Sequence, residues 1–181
     1  MEAADLICKW VGAGLVLFSA GGMGLWYSWQ WKKRLRTLLQ LRQMVYFLKG
    51  EITYSHAPLP EALERVGKRA GGGLGRLFVS AAERIGRQEG ETFQEIWKDE
   101  TEKLAGQEMG IVLTGEDVEH LSGLGEHLGY LDVDMQERTL LLFLEQLDDA
   151  ILYLKSHQKE KCRLYASLGM MGGMFLVIVM C

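Results

Sequence analysis

Proline is nearly missing from this chain. Only Pro58 and Pro60 occur in 181 residues, and they stand two apart. Proline removes a backbone donor and biases the residue before it away from helix, so long uninterrupted helices are allowed on either side of this one break. β-branched residues are sparse through the middle, where Leu, Glu, Gln and Ala dominate, and this excludes an extensive sheet and favours an all-α protein. Cysteine is scarce too: Cys8, Cys162 and Cys181 share no metal-site spacing, which argues against a zinc site or a disulfide scaffold. An excess of positive charge is absent, the net charge being −4, so nothing supplies the basic stripe that nucleic acid requires. Charge is missing altogether from Trp10–Trp31 and from Leu164–Cys181.

Those two uncharged runs predict membrane spans, since about 20 apolar residues cross roughly 30 Å of hydrocarbon. Trp10 stands at one end of the first run and Trp26, Tyr27, Trp29 and Trp31 at the other, as expected of rings with an apolar body and a polar edge at an interface. A cleaved signal peptide is the rival reading, with Ser19-Ala20-Gly21 as a small-residue site, but the start Met1-Glu-Ala-Ala-Asp5 is acidic rather than basic. For Leu164–Cys181 the rival is a buried core helix. Small residues run through both spans. Gly169 and Gly173, four apart, form a small-xxx-small face on which helices can approach closely. Lys32, Lys33, Arg34 and Arg36 follow the first span; Lys155, Lys159, Lys161 and Arg163 precede the second. Both clusters assign residues 32–163 to the cytoplasm. The expected domains are an N-terminal region 1–31 with a transmembrane helix over 10–31, a cytoplasmic helical bundle over 32–163, and a transmembrane helix over 164–181.

Within 32–163 the apolar period is helical throughout. Leu38, Leu41, Val45, Leu48 and Ile52 predict a helix over Lys32–Tyr54. After the proline break, Ala62, Leu63 and Val66 face inward on a helix over Glu61–Ala70. Leu77, Phe78, Ala81 and Ile85 mark a third over Leu74–Arg87. Thr92 with Glu95 forms a capping box for a fourth, Thr92–Leu104, buried through Phe93, Ile96 and Trp97, with Lys98 and Glu102 spaced for a surface pair. Thr114 with Glu116 and Asp117 opens a fifth, with Val118, Leu121 and Leu124 inward. Val133, Leu140, Leu144, Leu147, Ile151 and Leu154 stripe a final helix from Asp132 that runs on into the second span. The fold class is thus all-α: a bundle of about six helices, flanked by a transmembrane helix at each end.

Catalytic chemistry finds no convincing place. Gly71, Gly72, Gly73 and Gly75 match neither GxGxxG nor a Walker loop, and read as a flexible helix–helix joint. His120 and His127, with Glu116 or Glu119, lack metal-site spacing and read as solvated. Cys162 lies beside Arg163 next to a span, a position for lipidation or for an ordinary interfacial cysteine. Asp148 and Asp149 read as solvated or paired carboxylates. No catalytic, cofactor or metal residue is expected, and no cofactor.

The stretch LGEHLGYLDVDMQ, Leu124 to Gln136, resembles the LGxxLGxxDxxxQ segment of the stage III sporulation AB protein family of endospore-forming bacteria. RQMVYFLKGEITY (Arg42–Tyr54), PLPEAL (Pro58–Leu63) and GETFQEIW (Gly90–Trp97) are similar to that family in the same order, and the resemblance covers essentially the whole chain. It implies a component of the channel between mother cell and forespore, seated in the mother-cell-derived outer forespore membrane. The soluble domain would then be similar to the six-helix cytoplasmic domain of the type II secretion platform protein, which works against a hexameric ATPase. By the same resemblance Glu51, Tyr54, Pro58, Pro60 and Glu61 form one structural or docking signature, and Gly125, Gly129, Asp132 and Gln136 the other. Expected partners are a secretion-type sporulation ATPase, other membrane proteins of the channel, and lipid. Neither nucleic acid nor a small-molecule substrate is expected. On physical grounds, Gly125 and Gly129 allow a tight turn or a close helix approach, and Asp132 is placed to cap the final helix with Gln136 one turn on. A membrane-bound sensor or regulator is the alternative, to be distinguished by a ligand pocket lined with polar groups.

Overall fold

The computed structural model describes residues 29–87, 90–106, 111–129 and 132–180, with side chains as far as residue 157. Among them are six helices and no strand: α1 over 29–53, α2 (Leu59–Ala70), α3 (Gly72–Arg87), α4 (Phe93–Gly106), α5 (Gly115–Leu128) and α6 (Val133–Met180). Among the described residues no helix is long and apolar enough to cross a membrane. Residues 10–28 of the first expected span, Cys181, and the side chains of 164–180 in the second lie outside the described residues. The chain divides into two compact units, Met1–Lys32 with Leu152–Cys181, and Lys33–Ile151. The second holds the bundle.

The α1 stripe read from the sequence is the one buried: Leu38, Leu41, Val45, Leu48 and Ile52, with Met44 added. On α6, Leu140, Leu144, Leu147 and Ile151 are buried as expected, together with Phe143. Val133 is exposed instead, because it opens the helix before the stripe meets the core. α1 and α6 are antiparallel: Arg42 donates to Asp148 and Lys49 to Glu137 at 3.0 Å.

α2 begins at Leu59, two residues earlier than expected, because Pro60 tolerates the first turn, where its missing N–H has no intrahelical partner. The glycine run is not a loose joint. Gly71 (φ 62°) and Gly72 (φ 66°) take left-handed backbone, which reverses the chain within one residue, so α3 starts at Gly72 rather than Leu74. Reversal this sharp presses α2 onto α3. A Cβ on Gly67 would lie 2.7 Å from the Gly75 carbonyl oxygen, so glycine is required at the crossing.

Trp97 centres the other half. It is fully buried, edge-on to Phe78 of α3 (centroids 5.3 Å apart) and tilted against Phe93. Truncating an aromatic so placed costs about 3–5 kcal/mol. The capping boxes of α4 and α5 both form: Thr92 N–H donates to Glu95 at 2.8 Å, and Thr114 N–H to Asp117 at 2.8 Å. The Lys98–Glu102 pair is not among the ion pairs of the described residues. Lys103 on the same helix pairs with Asp99 and Glu100 instead, and these also hold Arg84 of α3.

Candidate functional site

The second signature is a corner between α5 and α6, fastened from three sides. α5 does not break at Gly125, as a turn beginning there would require; it continues to Leu128, and the turn is confined to residues after it. Residue 125, within α5, is glycine because a Cβ there would lie 2.6 Å from Cδ1 of Trp97. The same indole donates from Nε1 to the Leu121 carbonyl at 2.7 Å, one turn earlier on α5. α4 and α5 therefore touch through a ring laid across a glycine.

Gly129 follows with φ −70°, ordinary right-handed backbone, so left-handed strain is not what selects glycine here. A Cβ at this position would come within 3.2 Å of the Phe93 Cβ, which makes close approach the physical reason. Asp132 caps α6: its carbonyl accepts from Gln136 N–H at 3.0 Å and its carboxylate from Asp134 N–H at 3.1 Å. Gln136, buried, reaches back across the corner and donates from Nε2 to the Leu128 carbonyl at 2.9 Å. That carbonyl belongs to the last turn of α5, where intrahelical donors run out. One amide thus closes the end of α5 from the first turn of α6.

The first signature is a loop and its ion pairs. Arg65 joins Glu51 of α1 at 3.0 Å and Glu61 of α2 at 2.5 Å. Between them Pro58 caps α2 and Pro60 sits in its first turn. His56 holds positive φ (47°), and Tyr54 is 83% exposed. One residue beyond the second signature, Glu137 of α6 pairs with Lys49 of α1, two residues before Glu51. The bond to Glu137 holds the Lys49 ammonium above its usual range.

The sequence profile of the stage III sporulation protein AB family matches residues 9–181. The chain belongs to that family. It is similar to stage III sporulation protein AB of Bacillus subtilis (strain 168), with 23% identity over 172 residues, 95% of this chain and 98% of that one. A solved structure of stage III sporulation protein AB is similar in fold, with a TM-score of 0.62 and 24% identity over 71% of this chain and 98% of that chain. This is a family of sporulation proteins and not a known enzyme family, so the membership supports a role in sporulation.

One ion pair escaped sequence reading. Asp117, beyond capping α5, takes a two-pronged bond from Arg34 of α1, Nε to Oδ2 and Nη2 to Oδ1, each 2.8 Å. Burial pushes its carboxyl up, but Arg34 and the two bonds from Thr114 outweigh that and hold it below the usual range. The capping pattern was visible; a partner 83 residues away was not.

Among the described residues are open clefts of 310, 330 and 130 Å³. The first lies between α1 and α2, and the second between the end of α4 and the start of α5, lined mainly by Leu104, Ile111, Leu113 and Val118. His120 and His127 are exposed, and among the described residues no three His, Cys, Asp or Glu side chains are grouped to hold a metal. The Cys162 side chain lies outside the described residues.

Proposed function

We propose that this chain is a non-enzymatic membrane platform of the mother cell–forespore channel, whose helical domain docks a secretion-type ATPase. Family membership across residues 9–181 carries the reading. The uncharged runs 10–31 and 164–181 anchor it in the outer forespore membrane, and the basic clusters inside them set residues 32–163 in the mother-cell cytoplasm. The fastened α5–α6 corner supports a part that transmits position, because a packed joint moves as a unit rather than deforming continuously.

Docking falls to the first signature. Tyr54 offers an aromatic side chain in water, on a loop set by two prolines and the Arg65 bridge, the kind of residue that anchors interfaces. The sensor alternative would need an enclosed pocket lined with polar groups, and the clefts at α1–α2, α4–α5 and α3–α4 are open. The test is capture of the ATPase by the whole chain. Wild-type chain retains it; Tyr54→Ala loses most of it while melting at the wild-type temperature. Failure of the wild type to capture the ATPase overturns the docking reading, and full capture by Y54A moves docking off this loop.

A further inference from the structure

The 310 Å³ cleft between α1 and α2 has an apolar floor of Met44, Phe47 and Val66, with Arg69 lying over the Phe47 ring, its guanidinium 4.3 Å from the centroid. Gln40 and Gln43 line the wall, and Arg36 stands one turn before Gln40 on the same side of α1. Beyond the floor, along the same seam, Glu51 and Glu61 share the single cation Arg65. From one end to the other the seam therefore carries the positive Arg36, then the apolar floor with the positive Arg69 laid over it, then the negative Glu51–Glu61 pair.

The outer stripe of α6 carries the complement. Asp149, Glu145, Leu142 and Arg138 are spaced four, three and four apart, all exposed, and read negative, negative, apolar, positive. Leu142 is 59% exposed. Among the described residues no ion pair uses Arg36, Arg69, Arg138, Glu145 or Asp149. The ion pairs Arg42–Asp148 and Lys49–Glu137 set the level of α6 along α1 to within about one helical turn. On that scale Gln43 is level with Glu145, and Phe47 with Leu141 and Leu142. Copies held at one depth by the same anchors present these levels to each other unchanged.

We infer that the chain assembles with copies of itself side by side, the α6 stripe of one copy seated in the α1–α2 seam of the next. Asp149 meets Arg36, Glu145 meets Arg69, Leu142 enters the cleft, and Arg138 faces the Glu51–Glu61 pair. Two α6 stripes packed on each other at equal depth would set Arg138 against Arg138 and Glu145 against Glu145, so the pattern selects the seam instead. A contact between two different surfaces repeats from copy to copy, and closes into a ring when the rotation allows. The equal depth rests on the membrane reading proposed above; the matched charges do not.

The experiment uses two differently tagged full-length chains co-expressed, with Cys8, Cys162 and Cys181 replaced by serine. One carries Gln43→Cys and the other Gln146→Cys, beside Glu145 and exposed. A short bis-maleimide is expected to give a product bearing both tags, and none when Gln146→Cys is replaced by Glu119→Cys on α5. Arg69→Glu in both chains abolishes the product, and Glu145→Arg added to both restores it; circular dichroism of each variant reads whether it stays helical. No doubly tagged product from the first pair, an equal product from the α5 control, or a product indifferent to R69E overturns the inference. Fractionation of the same samples reads the membrane proposal separately, and the cross-link is read in whichever fraction holds the chain.

Discussion

Glycine has three uses here, and only the neighbours of each residue separate them. Gly123 and Gly125 lie two apart on α5, yet a Cβ on Gly123 meets open space and one on Gly125 meets Trp97 at 2.6 Å. Ala normally improves a helix interior by roughly 0.5–1 kcal/mol over Gly. Gly123→Ala is therefore expected to raise stability by about that amount. Gly125→Ala reverses the sign, because Trp97 is buried, bonded to Leu121 and wedged against Phe78, and the overpacking costs about 1–3 kcal/mol. Urea unfolding of the two variants checks the pair: equal midpoints would remove the ring-on-glycine contact from the account. Gly71 and Gly72 differ again, since positive φ rather than space selects them.

At the scale of elements, the tie between α1 and α5 depends on one carboxylate. The Asp117 carboxyl is held below its usual range, so its contribution is complete above the unfolded value of about 3.9 and is lost as pH falls through the lower folded value. Asn keeps the capping oxygen but not the charge. Asp117→Asn is expected to cost about 1.5–3 kcal/mol at neutral pH, the worth of hydrogen bonds to a charged group. It should also flatten the loss of stability below pH 4, followed by thermal melts at stepped pH. An acid limb as steep in D117N as in the wild type would assign that loss to other carboxylates. The capping box at Thr92 was legible because its partner Glu95 is three residues on, and Thr114 was legible as the start of α5, its reciprocal bond with Asp117 emerging in the structure. The Arg34 contact was not, since no local pattern selects one arginine out of the cluster that follows the first run. Gln136 was placed one turn into α6, but its bond to the α5 carbonyl depended on the corner angle.

For the whole molecule, the topology that the charge clusters imply has a direct check. Gln94 is exposed on α4, and Gln94→Cys in a background without the native cysteines is expected to resist an impermeant maleimide in intact cells and to label after lysis. Ready labelling before lysis would place the helical domain on the other side of the membrane and remove the docking proposal with it.

The sequence by itself determined the helices, most of their buried faces, the two proline-set and capped boundaries, and the family. Each of these depends on residues within a turn or two of each other, where period and capping chemistry act. Tertiary structure decided which glycines are indispensable, where α5 ends, and which distant charges meet. Those outcomes depend on what a neighbouring helix presents at 3 Å. Trp97 across Gly125, Arg34 on Asp117 and Gln136 on Leu128 come together only once the helices have packed, and no spacing along the chain encodes them.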